Sequence, residues 1–392
     1  MKFVLFANTD WYLYNFRLST ALELKARGHE VVMLSPPGEF GGRFAAHGLT
    51  WRTLGMNRAS LNPLREAITL RGVVNALKEE KPDLLHSFTV KCAVYGALAA
   101  RMAKVPAVVN AVAGMGYVFT SDSVKARTLR PIVSSLMRST LGSGNSRVIL
   151  QNPDDADAFV QAGMVPSGRI RLIRSSGVDI SRFYPPDHAR ATRPLRVLLA
   201  ARLLWEKGVG EFVEASRQLK RAGRDVEFFL AGTPDPGNPR SVTHAEAERW
   251  ANDGSVNWLG HVDDMPGLLR SMDVMALPSY YREGVPKSLI EGAATGLALV
   301  TTDLPGCREV VAEHGVDGLH VEARSAESLA KQLLILDEDR ALLQRLGERA
   351  RAKALSDFDE RSVIQKTMDV YDELLQPAKT TPDGGYKEIP VG

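Results

Sequence analysis

The sequence predicts two α/β domains of similar size, each a parallel sheet covered by helices. Three observations carry this. At 392 residues the chain is longer than one hydrophobic core usually supports. Short β-rich runs alternate with longer stretches whose apolar residues recur at helical spacing, the order that builds a parallel sheet under helices. The series breaks once, at Ser176-Gly177-Val178-Asp179 and Arg182-Phe183-Tyr184-Pro185-Pro186, and then begins again.

In the first half, Val4 to Ala7, Val31 to Leu34, Leu84-Leu85, Ala107 to Asn110 and Val148 to Gln151 read as strands, with helices at Asn15 to Arg27, Leu64 to Lys78 and Val94 to Lys104. In the second, strands are expected at Arg196 to Ala201, Val226 to Ala231, Val256 to Leu259, Val274 to Leu277 and Ala298 to Thr301. Helices fit Glu211 to Arg221, Pro266 to Ser271, Lys287 to Thr295 and Ala326 to Leu336. The expected domains are 1–176 and 177–357. A last helix over 358–376 carries Val363, Ile364, Met368, Val370, Tyr371, Leu374 and Leu375 and is expected to pack back on the first domain. The tail 377–392 is poor in apolar residues and reads as disordered.

Composition is that of a globular protein, 44% hydrophobic and 24% charged. Cys92 and Cys307 lie far apart with no partner at a metal-binding spacing, and the eight histidines show no paired ligand spacing, so neither a disulfide framework nor a metal site is expected. The run Phe3 to Ala7 is too short for a secretory leader, and no stretch reaches the roughly 18 apolar residues of a membrane span. A cytoplasmic protein, soluble or peripheral to a membrane, is expected. Residues 1–176 hold 22 Lys and Arg against 12 Asp and Glu, and the remainder 27 against 34. The basic half suits an anionic partner, either a diphosphate-bearing substrate or an acidic leaflet. Val124 to Leu141, with Leu129, Ile132, Val133, Leu136, Met137 and Leu141 set against Lys125, Arg127, Arg130 and Arg138, reads either as a basic amphipathic helix on a membrane or as one packed inward with solvated arginines.

The segment richest in chemistry is Tyr280-Tyr281-Arg282-Glu283-Gly284-Val285-Pro286-Lys287-Ser288-Leu289-Ile290-Glu291, between a strand and a helix. Pro286 suits the first helical position, and the amides of Lys287, Ser288 and Leu289 then form an anion or hydroxyl site. Glu283 and Glu291 can each take a vicinal diol of one elongated ligand. Ala201 to Gly208 places Arg202 at a strand end and Lys207 at a helix entry, two cations suited to a departing diphosphate. Taken singly, a strand-end Arg also serves as a surface ion-pair partner and a Glu before a helix as a cap.

Together, the R-x4-K of Arg202 to Lys207 and the E-x7-E of Glu283 to Glu291 resemble the retaining glycosyltransferases of family four, whose GT-B fold sets two Rossmann-like domains about a central cleft. Gly177-Val178-Asp179, Leu230-Ala231-Gly232 and Leu259-Gly260-His261-Val262 extend the likeness over nearly the whole chain. Asn8 to Arg17 and Ala113 to Phe119 are most similar to bacterial enzymes that extend undecaprenyl-diphosphate-linked sugars.

The resemblance implies a UDP-sugar donor with Arg202 and Lys207 on its diphosphate, Glu283 with Gly284, Val285, Pro286, Lys287, Ser288 and Leu289 on its sugar, and Glu291 on its ribose. Gly232, His261 and Val262 would line the nucleotide, and Asn8, Asn15, Arg17, Lys91, Gly114, Gly116 and Tyr117 the acceptor side. It implies no cofactor or metal, no nucleic acid, front-face displacement without a protein nucleophile, and a lipid-linked acceptor at the inner face of the plasma membrane. The chain departs from the family in two places. The loop Asn8 to Asn15 lacks glycine, and Asn110 to Tyr117 lacks histidine; His86 then contacts the acceptor or is simply a buried strand-end histidine.

Asp155-Ala156-Asp157 follows Asn152-Pro153 and reads as helix capping rather than a metal motif. A glycosidase would need carboxylates flanking one bond, whereas Arg202 and Lys207 point to a charged leaving group. The rivals are a UDP-sugar epimerase on the same fold, a non-catalytic scaffold, and an NAD-dependent oxidoreductase, for which neither first strand of a domain supplies the glycine fingerprint.

Overall fold

The computed structural model describes residues 1–57, 60, 62–114, 124–142, 144–187, 194–376 and 387–388. They form two units, Met1–Ser176 with Ser362–Gly392, and Gly177–Arg361.

The first unit follows the order β1 (Lys2–Phe6), α1 (Asp10–Ala26), β2 (Glu30–Ser35), β3 (Thr50–Thr53), α2 (Pro63–Glu80), β4 (Leu84–Phe88), α3 (Val90–Ala103), β5 (Ala107–Val112), α4 (Val124–Thr140), β6 (Ser146–Leu150), α5 (Pro153–Gln161) and β7 (Ile170–Leu172). Its sheet, including Lys387–Glu388 at one edge, is parallel throughout, ordered Lys387–Glu388, β7, β6, β5, β4, β1, β2, β3. Both faces are covered, so the central strands are nearly all apolar. Phe3, Leu5, Leu84, Phe88 and Val109 face one side, and Val4, Phe6, Val32, Leu34 and Leu85 the other.

The second unit runs β8 (Leu195–Ala200), α6 (Val209–Arg221), β9 (Val226–Ala231), α7 (His244–Asn252), β10 (Asn257–Gly260), α8 (Met265–Arg270), β11 (Val274–Leu277), α9 (Lys287–Ala294), β12 (Ala298–Thr302), α10 (Cys307–Val310), β13 (Leu319–Val321), α11 (Ala326–Glu338) and α12 (Arg340–Asp357). Its parallel sheet is ordered β10-β9-β8-β11-β12-β13. Strand order reverses between β8 and β11 here and between β1 and β4 in the first unit. In an open parallel sheet, that reversal leaves a ligand crevice at the carboxyl ends of the two strands.

The helix α13 (Glu360–Leu375) joins the units, and from Ser362 onward it belongs to the first. Val363, Met368, Val370, Tyr371 and Leu374 are buried in that unit's core. At the crossing, Gly177 has φ +77°, and a Cβ there would lie 2.5 Å from Glu360 Cα, so only glycine lets the two connections pass.

Several expectations need correction. The helix expected from Asn15 starts at Asp10, so most of the loop Asn8 to Asn15 is helical. The Thr9 hydroxyl caps it by accepting from Tyr12 N at 3.1 Å, but Trp11 to Tyr14, apolar on all sides, hides the helical period. Pro286 is the residue before α9, not its first, because ψ of 121° keeps it extended. Asn152, not Asp155, caps α5, its Oδ1 accepting from Asp155 N at 2.8 Å. Within the tail expected to be disordered, Lys387 and Glu388 pair in parallel with Arg171 and Leu172. The outer edge of β7 leaves backbone groups that any extended segment can satisfy. The remaining tail residues lie outside the described ones.

Candidate active site

The residues that follow β8 and β11 meet at the second unit's switch point. After β8 the chain makes a 3₁₀ turn, Trp205–Lys207, that ends on Gly208 at φ +78°. A Cβ on Gly208 would sit 2.3 Å from the Pro278 carbonyl oxygen, so glycine lets the Lys207 turn lie directly on the residue after β11. Tyr280 N donates to the Glu206 carbonyl at 3.0 Å and closes the two loops together.

This docking brings Lys207 Nζ into an ion pair with Glu283 Oε2. Glu283 is buried, and its second oxygen accepts from the Ser279 hydroxyl at 2.7 Å. Ser279 is fully buried, and its carbonyl accepts from Thr302 Oγ1 at 2.6 Å, which ties the loop to β12. Gly306, with φ +86°, backs the same loop; a Cβ there would lie 2.2 Å from Gly284 O and 2.6 Å from Glu283 O.

Arg202 is more than half exposed and pairs with Asp235 at 2.9 Å. The surface ion pair raised as its simpler role is therefore real, and it also holds the guanidinium at the strand end. Burial pushes the Glu206 carboxyl above its ordinary value, against the pull of Arg240, Lys207 and Arg202 and with Glu283 adding to the rise. All five charged groups thus share one field around the β8 end. Glu206 and Arg240 are new to the site, as is Ser279. Glu206 lay inside the R-x4-K segment, but nothing in its spacing marked it, and the Arg240 contact crosses from a loop that carries no pattern.

Glu291 sits in the second turn of α9, half-buried. Burial raises its carboxyl, partly offset by Lys287 and Arg182. Lys287 and Ser288 are half-exposed in the first turn, whereas Val285, Pro286 and Leu289 are buried and offer only backbone to a ligand. Gly232, at φ +135°, lies where a Cβ would be 1.9 Å from Ala201 O, and its amide donates to Gly260 O at 2.7 Å. His261, exposed and 3.3 Å from Asp263, follows directly, with Val262 half-buried beside it.

The acceptor-side residues differ in exposure and in partners. Asn8 lies half-buried at the end of β1. Asn15 is exposed on α1, and its side chain donates to Trp11 O at 2.9 Å. Arg17 is buried. Lys91 is bound to the Asn57 and Ser60 carbonyls at 2.8 and 3.1 Å and to Glu66, so it braces the segment before α2. Gly114, at φ +76°, follows β5, and Gly116 and Tyr117 lie outside the described residues. His86 is 1% exposed in mid-strand, its Nδ1 2.6 Å from the Tyr371 hydroxyl. Among the described residues no group of three or more His, Cys, Asp or Glu is placed to hold a metal.

Two family models match the chain, Glycosyl transferase 4-like domain over residues 16–175 and Glycosyl transferases group 1 over 181–353. The N,N'-diacetylbacillosaminyl-diphospho-undecaprenol alpha-1,3-N-acetylgalactosaminyltransferase of Campylobacter jejuni is 30% identical, over 93% of this chain and 96% of its own. The chain is a family-four glycosyltransferase. This glycosyltransferase is also 24% identical to an Escherichia coli UDP-Gal:alpha-D-GlcNAc-diphosphoundecaprenol alpha-1,3-galactosyltransferase, over 81% of the chain and 82% of the relative. Its fold matches that of Anabaena HepE in complex with UDP-glucose, with a TM-score of 0.76 at 21% identity over 95% of this chain and all of HepE. A Rickettsia africae glycosyltransferase matches at a TM-score of 0.77 and 18% identity, covering 96% and 99% of the two chains. The fold is GT-B, as expected.

Proposed function

We propose that this glycosyltransferase moves a hexose or N-acetylhexosamine, with retention, from a UDP-sugar to a polyprenyl-diphosphate-linked sugar in cell-surface glycan synthesis. The observation that carries this is the Lys207–Glu283 pair, locked by Ser279 at the β8–β11 switch point with Arg202 beside it. Lys207 and Arg202 offset the charge that develops on the departing UDP. Glu283, acceptor-only when ionised, takes paired hydroxyls of the donor sugar, and the amides after Gly284 take the others. Glu291 takes the ribose diol, and His261 and Val262 border the base. The acceptor proton leaves to the departing phosphate oxygen, so no protein nucleophile is required.

Because these two cations supply the positive charge, we propose turnover without a metal. No described helix is long and apolar enough to cross a membrane, and both aligned relatives carry diphosphoundecaprenol acceptors in their names. We therefore place the enzyme at the inner membrane face, its basic half toward the lipid. The test is product analysis with a panel of UDP-sugars, a polyprenyl-diphosphate sugar and EDTA. A mass gain of one sugar on the lipid, unaffected by EDTA, is expected; isomerised donor without acceptor would mean an epimerase instead.

A further inference from the structure

In the first unit, Arg17 on α1 and His86 on β4 project into one small cavity that also borders Gln151, Ser175, Thr367 and the exposed Ala113. Arg17 is 7% exposed, its guanidinium 4.4 Å above the Phe88 ring and its Nη2 donating to the Tyr12 hydroxyl at 3.1 Å. Its Nε has no hydrogen-bond partner, and no described carboxylate lies within ion-pair distance. The Tyr371 hydroxyl lies 2.6 Å from His86 Nδ1 and has no other described acceptor; with that hydroxyl as the donor, the ring proton sits on Nε2, which also has no partner.

Two buried donors thus converge, one of them a full charge, and none of the cavity's side chains is acidic. Water can satisfy an N–H, but it does not neutralise a buried guanidinium, whose uncompensated charge is strongly unfavourable. An anionic oxygen does both. The cavity, about 10 Å³, admits about one such atom. Arg17 comes from the helix after β1 and His86 from β4 itself, the two strands at which this sheet reverses and beside which an open α/β sheet receives ligands, and the remaining walls come from β5 and β6, from the residues after β5, β6 and β7, and from α13.

We propose that Arg17 and His86 form a phosphoryl-oxygen site that anchors the diphosphate of the lipid-linked acceptor by one non-bridging oxygen. The proposal rests on the acceptor class given above, but its test needs no turnover.

The full-length protein, saturated with UDP to fill the second unit's cationic loops, is titrated with inorganic diphosphate by calorimetry. Arg17→Met is expected to weaken binding about 10- to 100-fold, the worth of a charged hydrogen bond, while Tm without diphosphate stays level or rises because the unpaired charge is gone. Arg17→Lys is expected to recover most of the binding, and a short-chain polyprenyl-diphosphate sugar to displace the diphosphate. In steady-state assays, Arg17→Lys is expected to raise the acceptor KM and leave the donor KM within about twofold. Unchanged diphosphate binding in a folded Arg17→Met would overturn the site. Failure of the lipid to displace diphosphate would overturn its assignment to the acceptor in favour of free phosphate.

Discussion

Glu283 is held at three points, by Lys207, by the Ser279 hydroxyl and, through the Ser279 carbonyl, by Thr302. Removing one member of a buried ion pair strands the other charge, at about 3–5 kcal/mol, whereas replacing both by apolar groups is often neutral. Lys207→Met and Glu283→Leu are therefore each expected to lower stability, and the double variant to recover it, in chemical denaturation. All three are expected to lose turnover by orders of magnitude. Recovery of activity along with stability in the double variant would assign the pair a structural role only. Glu291 obeys the opposite sign from a salt-bridged carboxylate. Burial raises its folded pKa above the ordinary 4.5, so the folded state is the better proton binder, and stability falls as pH rises through and beyond 4.5. Glu291→Gln is expected to raise Tm at neutral pH while weakening UDP binding. A lower Tm there would show that the carboxylate is stabilised rather than strained.

At the scale of elements, the glycines that permit close approach are as decisive as the charged side chains. Gly306→Ala would drive a methyl into the Glu283 and Gly284 carbonyls at 2.2–2.6 Å and place alanine at φ +86°. It is expected to cut turnover at least tenfold with only a modest loss in Tm, since the strain falls on a loop; retained activity would show that this loop's position is not critical. The elements were legible where burial is two-sided. Val274–Leu277 matches its expected bounds because a short, wholly apolar run between polar residues has few other readings, and Val226–Ala231 does so through the apolar run Phe228 to Ala231 despite Glu227. The edge strands Thr50–Thr53 and Leu319–Val321 were not legible, being short and partly exposed. Nor was Arg340–Asp357, which buries only Leu346, Gly347, Ala350 and Ala354 and so lacks a strong apolar stripe. For the site, the R-x4-K and E-x7-E spacings located the second unit's loops. The Arg17–His86 convergence joins a helix to a strand 69 residues away, which no local spacing reports.

At the scale of the molecule, the charge division predicts salt-dependent binding to an anionic surface. Residues 1–176 carry 22 basic against 12 acidic side chains. On α4, Arg127 and Arg138 are exposed and Ile132 is 64% exposed, while Met137, and Leu141 just past the helix end, are buried in the core, so this helix packs inward and still offers two arginines to the outside. Binding to vesicles rich in anionic lipid is expected to fall steeply between low and physiological salt, because surface attractions are screened over about 10 Å at 0.1 M. Salt-independent sedimentation would point to insertion rather than charge. Sugar transfer at the Lys207–Glu283 pair can be followed in a single assay. Purified enzyme, a UDP-sugar and a polyprenyl-diphosphate sugar are mixed, and both UDP release and lipid product mass are followed for the native chain and for Lys207→Met/Glu283→Leu. One UDP released per hexosyl unit gained, abolished in the folded double variant, is the expected result. Sugar transfer that persists in that variant would contradict it.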